Sequence, residues 1–186
     1  MKITQHLQHR KMDLRKYPTT VVVDEVKNIA SFVFYRYDGA FIGFQRYNPN
    51  KDKISKNSGK YFTVAAQGSF AYWGVEQSLK KGEILYIVEG VFKAVRLHNK
   101  GLNAIAVLCN NPKGLRNQIL LWGKMYLFTV AFCDGDAPGR KLAKYTDRKI
   151  LMRESEYLDE ITEERLDHYL EIFQKPQNNN NTIDKK

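Results

Sequence analysis

The sequence predicts an α/β protein: a parallel sheet flanked by helices, carried behind a small N-terminal α+β lobe. Three observations predict it. From Gly82 onward, short apolar runs of strand length alternate with segments of helical period. Upstream, two runs rich in aromatic and β-branched residues are joined by Asp38-Gly39, the strongest short hairpin signal. Carboxylates then stand directly behind two of the later apolar runs, at Glu89-Gly90 and at Asp134-Gly135-Asp136, where α/β sheets gather their active groups.

Residues 1–28 show no clear period and are read as an N-terminal arm, with Thr20–Val23 as a short strand or docking segment. Residues 29–81 form a basic lobe. Its hairpin pairs residues 31–37 with 40–47, followed by a polar, basic loop over 48–60 and an apolar segment from Tyr61 to Trp73. The α/β domain spans 82–159. Ile84–Val88 reads as a buried strand, Val91–Asn99 as a helix stopped by Gly101, and Asn103–Leu108 as a second strand. Asn111 and Pro112 suit an N-cap and first helical position, with the helix continuing through Leu115 to Trp122. Met125–Phe132 is predicted as the third strand and Arg140 to about Lys149 as a basic helix. Thr162 is expected to cap an acidic helix over 160–173, with Glu163 and Glu164 in its first turn, where the helix dipole favours negative charge. Residues 174–186, with four successive asparagines, read as a disordered tail.

Composition narrows the function. With 43% apolar residues among 186, the chain can bury a core, which excludes disorder as a description of the whole. Two cysteines, Cys109 and Cys133, are too few for a disulfide scaffold or a zinc module, so no zinc is expected. Met1–Arg15 is polar and basic, and no run of 18 apolar residues occurs, which predicts a cytoplasmic protein with no membrane partner. The net charge of +10 points to polyanions. Residues 1–80 and 81–150 each carry +7, whereas 151–186 carry −4, so the acidic end is a separate element.

Asp134 and Asp136, two apart on an extended segment, are predicted to share one side, and Gly90 and Gly135 let backbone and solvent approach closely. Three acids against a basic background are costly as bare anions. Together, Glu89, Asp134 and Asp136 suit one or two Mg2+ (or Mn2+) ions shared with substrate phosphates, an arrangement for metal-dependent phosphoryl transfer. Arg46, beside Phe44 and Tyr47 at a hairpin end, offers a basic and aromatic mix suited to single strands, or is simply solvated. Lys60 has the same two readings. Arg140, Lys141 and Lys144 follow the acid motif on a helix and face either phosphates or solvent.

Ile84–Gly90 followed by Val91-Phe92, and Phe132–Ala143, resemble the two signature motifs of the Toprim domain shared by DnaG-type primases, topoisomerases and several nucleases. Residues 38–46 and Lys60-Tyr61-Phe62 are similar to the N-terminal lobe of the bacterial primase polymerase core, so the primase branch matches best over roughly 29–159. The resemblance implies a minimal DNA primase of the DnaG type, resembling its RNA-polymerase core without zinc-binding or helicase domains, as in a bacteriophage or mobile element. It implies that Glu89, Asp134 and Asp136 hold magnesium. Arg46 and Lys60, with Arg140 and Lys141, would serve single-stranded DNA template or ribonucleoside triphosphates. A replicative helicase or polymerase would supply template recognition.

The chain departs from the family at three places. Lys93 stands where an acidic or small residue is frequent, and Cys109-Asn110-Asn111 replaces the usual Gly-Thr or Gly-Ser. In place of the Asp-Pro-Asp motif after the last strand stand only Glu154, Glu156 and Asp159, of which Asp159 is taken as the additional acid. Two other activities remain open: a Toprim nuclease cleaving DNA or RNA, and a non-catalytic nucleic-acid-binding subunit of a replication assembly.

Overall fold

The computed structural model describes residues 1–51, 59–78, 83–108 and 115–174. The chain begins with helix α1 (Ile3–His9) and then builds an antiparallel sheet from β1 (Val21–Asp24), β2 (Ile29–Tyr35), β3 (Phe41–Tyr47) and β4 (Tyr61–Ala65), in the order β1-β2-β3-β4. Along β2, buried Ala30, Phe32 and Phe34 alternate with half-exposed residues, the mark of a sheet packed on one face. Gly43 in β3 sits at φ 153°, and a Cβ there would lie 2.1 Å from the Val64 carbonyl oxygen of β4. Only glycine allows that approach.

The second sheet has the order β5-β7-β6-β8-β9: β5 (Tyr72–Trp73), β6 (Ile84–Val88), β7 (Asn103–Val107), β8 (Phe128–Cys133) and β9 (Arg148–Leu151). Four strands run parallel, and β5 adds to the β7 edge antiparallel. Helices α2 (Val91–Asn99), α3 (Arg116–Met125) and α4 (Ala137–Leu142) connect the strands, and α5 (Glu163–Gln174) follows them. All five residues of β7 are buried, as are four of β6, which is why these strands read as continuous apolar runs. From β6 the chain crosses through α2 to β7 on one side, whereas β8 leads through α4 to β9 on the other. The crevice where strand order reverses therefore lies between the C-terminal ends of β6 and β8.

One continuous apolar core joins the two sheets. Phe32 and Tyr47 of the first sheet meet the Phe92 ring of α2 edge-on, at 5.8 and 5.2 Å between centroids. His98 of α2 is enclosed beneath it. The Tyr17 hydroxyl donates to its Nδ1 at 3.0 Å and its Nε2–H donates to the Ala104 carbonyl at 2.8 Å. Burial depresses its pKa to about 4.

The predicted strand Ile84–Val88 and helix Val91–Asn99 form with those bounds, and the hairpin forms around Asp38-Gly39. Thr162 accepts from the Arg165 amide at 3.2 Å ahead of α5. Other elements differ. The basic helix predicted from Arg140 to Lys149 ends at Leu142, because residues 148–151 pair with β8 as an edge strand. Its Arg and Lys content reads as helical or solvated in isolation, yet charged side chains are what a sheet edge carries. The third strand starts at Phe128 rather than Met125, which completes α3. In the arm, β1 joins the sheet of the basic lobe by pairing with β2. Tyr72 and Trp73, read with that lobe, pair instead with Val107 and Ala106. The predicted Asn111-Pro112 helix start, Cys109, most of the 48–60 loop and the tail from 175 onward lie outside the described residues. Among the described residues no helix is long and apolar enough to cross a membrane.

Candidate active site

Glu89 follows β6 and Asp134 follows β8, so adjacent parallel strands deliver the two carboxylates to the switch-point crevice. Gly90 begins α2 in an extended conformation, which turns the chain and sets Lys93 four residues beyond Glu89 on the first turn. The Lys93 ammonium lies 2.9 Å from Glu89 Oε2 and 2.5 Å from Asp134 Oδ2. All three side chains are largely shielded, at 12–20% exposure. Burial pushes the Glu89 carboxyl above the usual carboxylate range, against the pull of Lys93. For Lys93, burial works to lower the pKa, but the two carboxylates outweigh it and the ammonium is held above its ordinary value.

Each carboxylate keeps one oxygen in reserve. Glu89 Oε1 and Asp134 Oδ1 are buried without a hydrogen-bond partner in the protein. Gly139 of α4 packs against this point: a Cβ there would lie 2.3 Å from the Asp134 carbonyl and 3.2 Å from Glu89 Oε1. A glycine therefore leaves room for the Glu89 carboxylate.

Asp136 is exposed, and its Oδ1 accepts the Gly139 amide at 2.8 Å, capping α4. Asp134 and Asp136 share a cleft of about 320 Å³ with Arg140, Glu154, Glu156 and Tyr157. The cleft closes because Gly135 packs so tightly on the chain after β9 that a Cβ would come within 2.4 Å of the Met152 carbonyl. Glu154 and Glu156 therefore stand with the Asp-Gly-Asp motif. Asp159, the additional acid expected from the sequence, is instead paired with Arg10 and lines a different cavity. Glu156 accepts from Arg165 Nε at 2.9 Å and from the Tyr169 hydroxyl, and these bonds hold its pKa below the ordinary range.

That other cavity, of about 540 Å³, opens between the sheets. Gln45, Tyr61 and Thr63 line it from the first sheet, and Glu89, Gly90, Phe92, Lys93 and Asp159 line it from the side of the second sheet. Gln45 Nε2 donates to Thr63 Oγ1 at 2.9 Å across β3 and β4. Strand alternation then turns Arg46 to the opposite face, where its guanidinium stacks over Phe62 at 5.0 Å and shares a cleft with Lys27, Asn48 and Lys51. The structure thus does not bring Arg46 to the carboxylates. Lys60 lies 5.8 Å from the Tyr47 ring. Arg140 joins the cleft of Asp134, whereas Lys141 is exposed on α4. Gln45, Thr63 and Arg10 were not singled out by sequence reasoning. The period of two along β3 carries the signal for Gln45, but α1 reaches Asp159 only through tertiary packing.

The donor set is all oxygen, as magnesium requires. Among the described residues no group of three Asp, Glu, His or Cys side chains is arranged to hold a metal ion. The two orphaned oxygens of Glu89 and Asp134 fit a single ion, since magnesium commonly takes one or two carboxylates and completes its shell with water and substrate phosphate.

No family model and no curated protein matches the sequence. Solved structures do match the fold. The chain is similar to a DnaG primase catalytic domain bound to ssDNA, with a TM-score of 0.63, 15% identity and coverage of 91% of this chain and 73% of that one. It is similar to the E. coli primase catalytic core, at 0.62, 18%, 91% and 72%. The primase fragment of the bacteriophage T7 primase-helicase protein matches at 0.66 and 12%, covering 89% of this chain and 72% of that one. At these identities the likeness shows the fold, a mixed α/β architecture like that of the DnaG catalytic core.

Proposed function

We propose that the chain is a DNA primase of the DnaG type that joins ribonucleotides on a single-stranded DNA template, with the Toprim-like second domain as its catalytic centre. One observation carries the reading: in a fold like the DnaG core, Glu89 and Asp134 sit at the β6–β8 switch point, beside a cavity walled by the extra N-terminal sheet. A nuclease has no need of that sheet. The cavity of about 540 Å³ falls within the usual size of small-molecule sites, which suits a nucleoside triphosphate.

Glu89 and Asp134 are the residues that would hold magnesium (or manganese), with Asp136 facing the same cleft. A bound ion would promote attack of a ribonucleotide 3′-hydroxyl on an α-phosphate and stabilise charge on the departing pyrophosphate. The chain's own groups orient the reactants. Arg140, on the rim beside Asp134, offers a planar fork to phosphate oxygens. Tyr61, 40% exposed on the cavity wall, offers a ring on which a base can stack. Lys27, Arg46 and Lys51 form a basic strip on the far face of the first sheet that suits a template backbone, whereas Lys60 borders the Tyr47 ring, which packs on α2. A replicative helicase or polymerase partner supplies template recognition.

Incubation of the purified chain with single-stranded DNA, magnesium and labelled ribonucleoside triphosphates tests this reading. Template-dependent oligoribonucleotides are expected. Shortened DNA or RNA without new chains identifies a nuclease instead, and binding without either product identifies an accessory subunit.

A further inference from the structure

The carboxylates of the proposed site already have a cation. Lys93 Nζ contacts Glu89 Oε2 and Asp134 Oδ2 at 2.9 and 2.5 Å, so one oxygen of each acid is taken by the ammonium. The remaining oxygen of each is buried without a protein partner. Two largely shielded carboxylates carry two negative charges, and one ammonium leaves half of that charge unmatched. Desolvated oxygens without donors are costly, and more so when charged. The pair is therefore half neutralised by the chain and half open to something else.

We propose that Lys93 is a built-in cation, its ammonium filling one of the cation positions between Glu89 and Asp134 so that the cluster binds one fewer divalent ion than its carboxylates otherwise would. This rests on the metal-dependent reading of the site above and deepens it. Polymerases with two metals place them about 3.5–4 Å apart, each needing carboxylate oxygens. Here Glu89 Oε2 and Asp134 Oδ2, the oxygens a second ion would use, are held by Lys93. A lysine is well suited to the task, being a compact charge with three rotatable donors. Two of those donors are used within the cluster. Lys93 also lines the interlobe cavity, so the third is within reach of a phosphate entering there. The lysine holds the two acids in register before any ion arrives, and the orphaned oxygens take the single divalent ion.

The test counts ions on the full chain with Mn2+ as the probe, by electron paramagnetic resonance of free Mn2+ and by calorimetric titration. Lys93→Gln and Lys93→Met should each bind one more Mn2+ per chain than the wild type, and Mn2+ should raise their Tm more than it raises the wild type's. Lys93→Arg, which keeps the charge, should keep the wild-type count. If neutralisation unfolds the metal-free chain, Mn2+ should refold Lys93→Gln. Equal counts in wild type and both neutral variants would overturn the proposal, and so would a Lys93→Gln chain that stays unfolded at saturating Mn2+. Primer synthesis is not part of this readout. A chain that gains an ion on neutralisation but makes no primer overturns the proposed function alone, and a primase whose ion count ignores Lys93 overturns the role of Lys93 alone.

Discussion

At Gly139 the missing side chain decides where Glu89 can sit. A Cβ would meet the Asp134 carbonyl at 2.3 Å and Cys133 Cβ at 2.9 Å, both at the end of β8, with the Glu89 carboxylate next at 3.2 Å. Gly139→Ala is expected to cost about 1–3 kcal/mol, the usual range for overpacking, read as a lower urea midpoint, and to reduce nucleotide joining through a displaced Glu89. His98 gives a residue-scale pH dependence. Its folded pKa of about 4 lies below the free value of 6.5, so between these limits the unfolded chain takes a proton that the folded chain refuses. Stability is full above pH 6.5 and falls by about 3 kcal/mol as pH drops toward 4. Urea titrations across this range should show that slope in the wild type and a flatter one in His98→Gln. In the sequence, Glu89 and Asp134 stand out because each directly follows an apolar run. The sequence marks Lys93 as a departure but does not reveal its contact with Asp134, 41 positions away, which only the packed sheet creates.

Among the elements, β9 shows where local patterning misleads. Its four residues include Arg148 and Lys149, and alone they extend the basic character of α4. Pairing with β8 and the stacking of the Arg148 guanidinium 4.0 Å from the Phe128 ring make them a strand. Asp147 anchors the entry to β9: its Oδ2 accepts from the Thr129 amide at 2.7 Å and the Thr129 hydroxyl at 2.8 Å. Asp147→Ala leaves these two largely buried donors unpaired. It should cost about 2 kcal/mol and speed amide exchange along β9 and the start of β8. The consequence reaches the site, because β9 carries the chain to Glu154 and Glu156 beside the Asp134 cleft. By contrast β6, α2 and β7 were legible from sequence alone. The strand runs are continuous and apolar, and Gly90 and Gly101 bound the helix between them, so local and tertiary preferences agree.

At the scale of the whole molecule, the proposed function depends on two sheets facing one cavity. The strand-end acids could be read from the sequence, but the partners of each acid could not. Arg10 of the N-terminal arm neutralises Asp159, and Gln45 rather than Arg46 faces the cavity. Both results come from how the first sheet docks on α2, a relation between segments far apart in the chain. Residues 1–150 carry the excess positive charge and the C-terminal element is acidic, a balance that suits the polyanionic template of the proposed function. In the proposed function, Glu89 and Asp134 form the catalytic centre of a ribonucleotide-joining enzyme. The most direct measurement compares primer synthesis on single-stranded DNA by the wild type, Glu89→Gln and Asp134→Asn, with circular dichroism to confirm the fold of each. Template-dependent oligoribonucleotides are expected from the wild type, with at least a hundredfold loss, about 2.7 kcal/mol, in each folded variant. Undiminished primer synthesis in either folded variant would contradict that assignment.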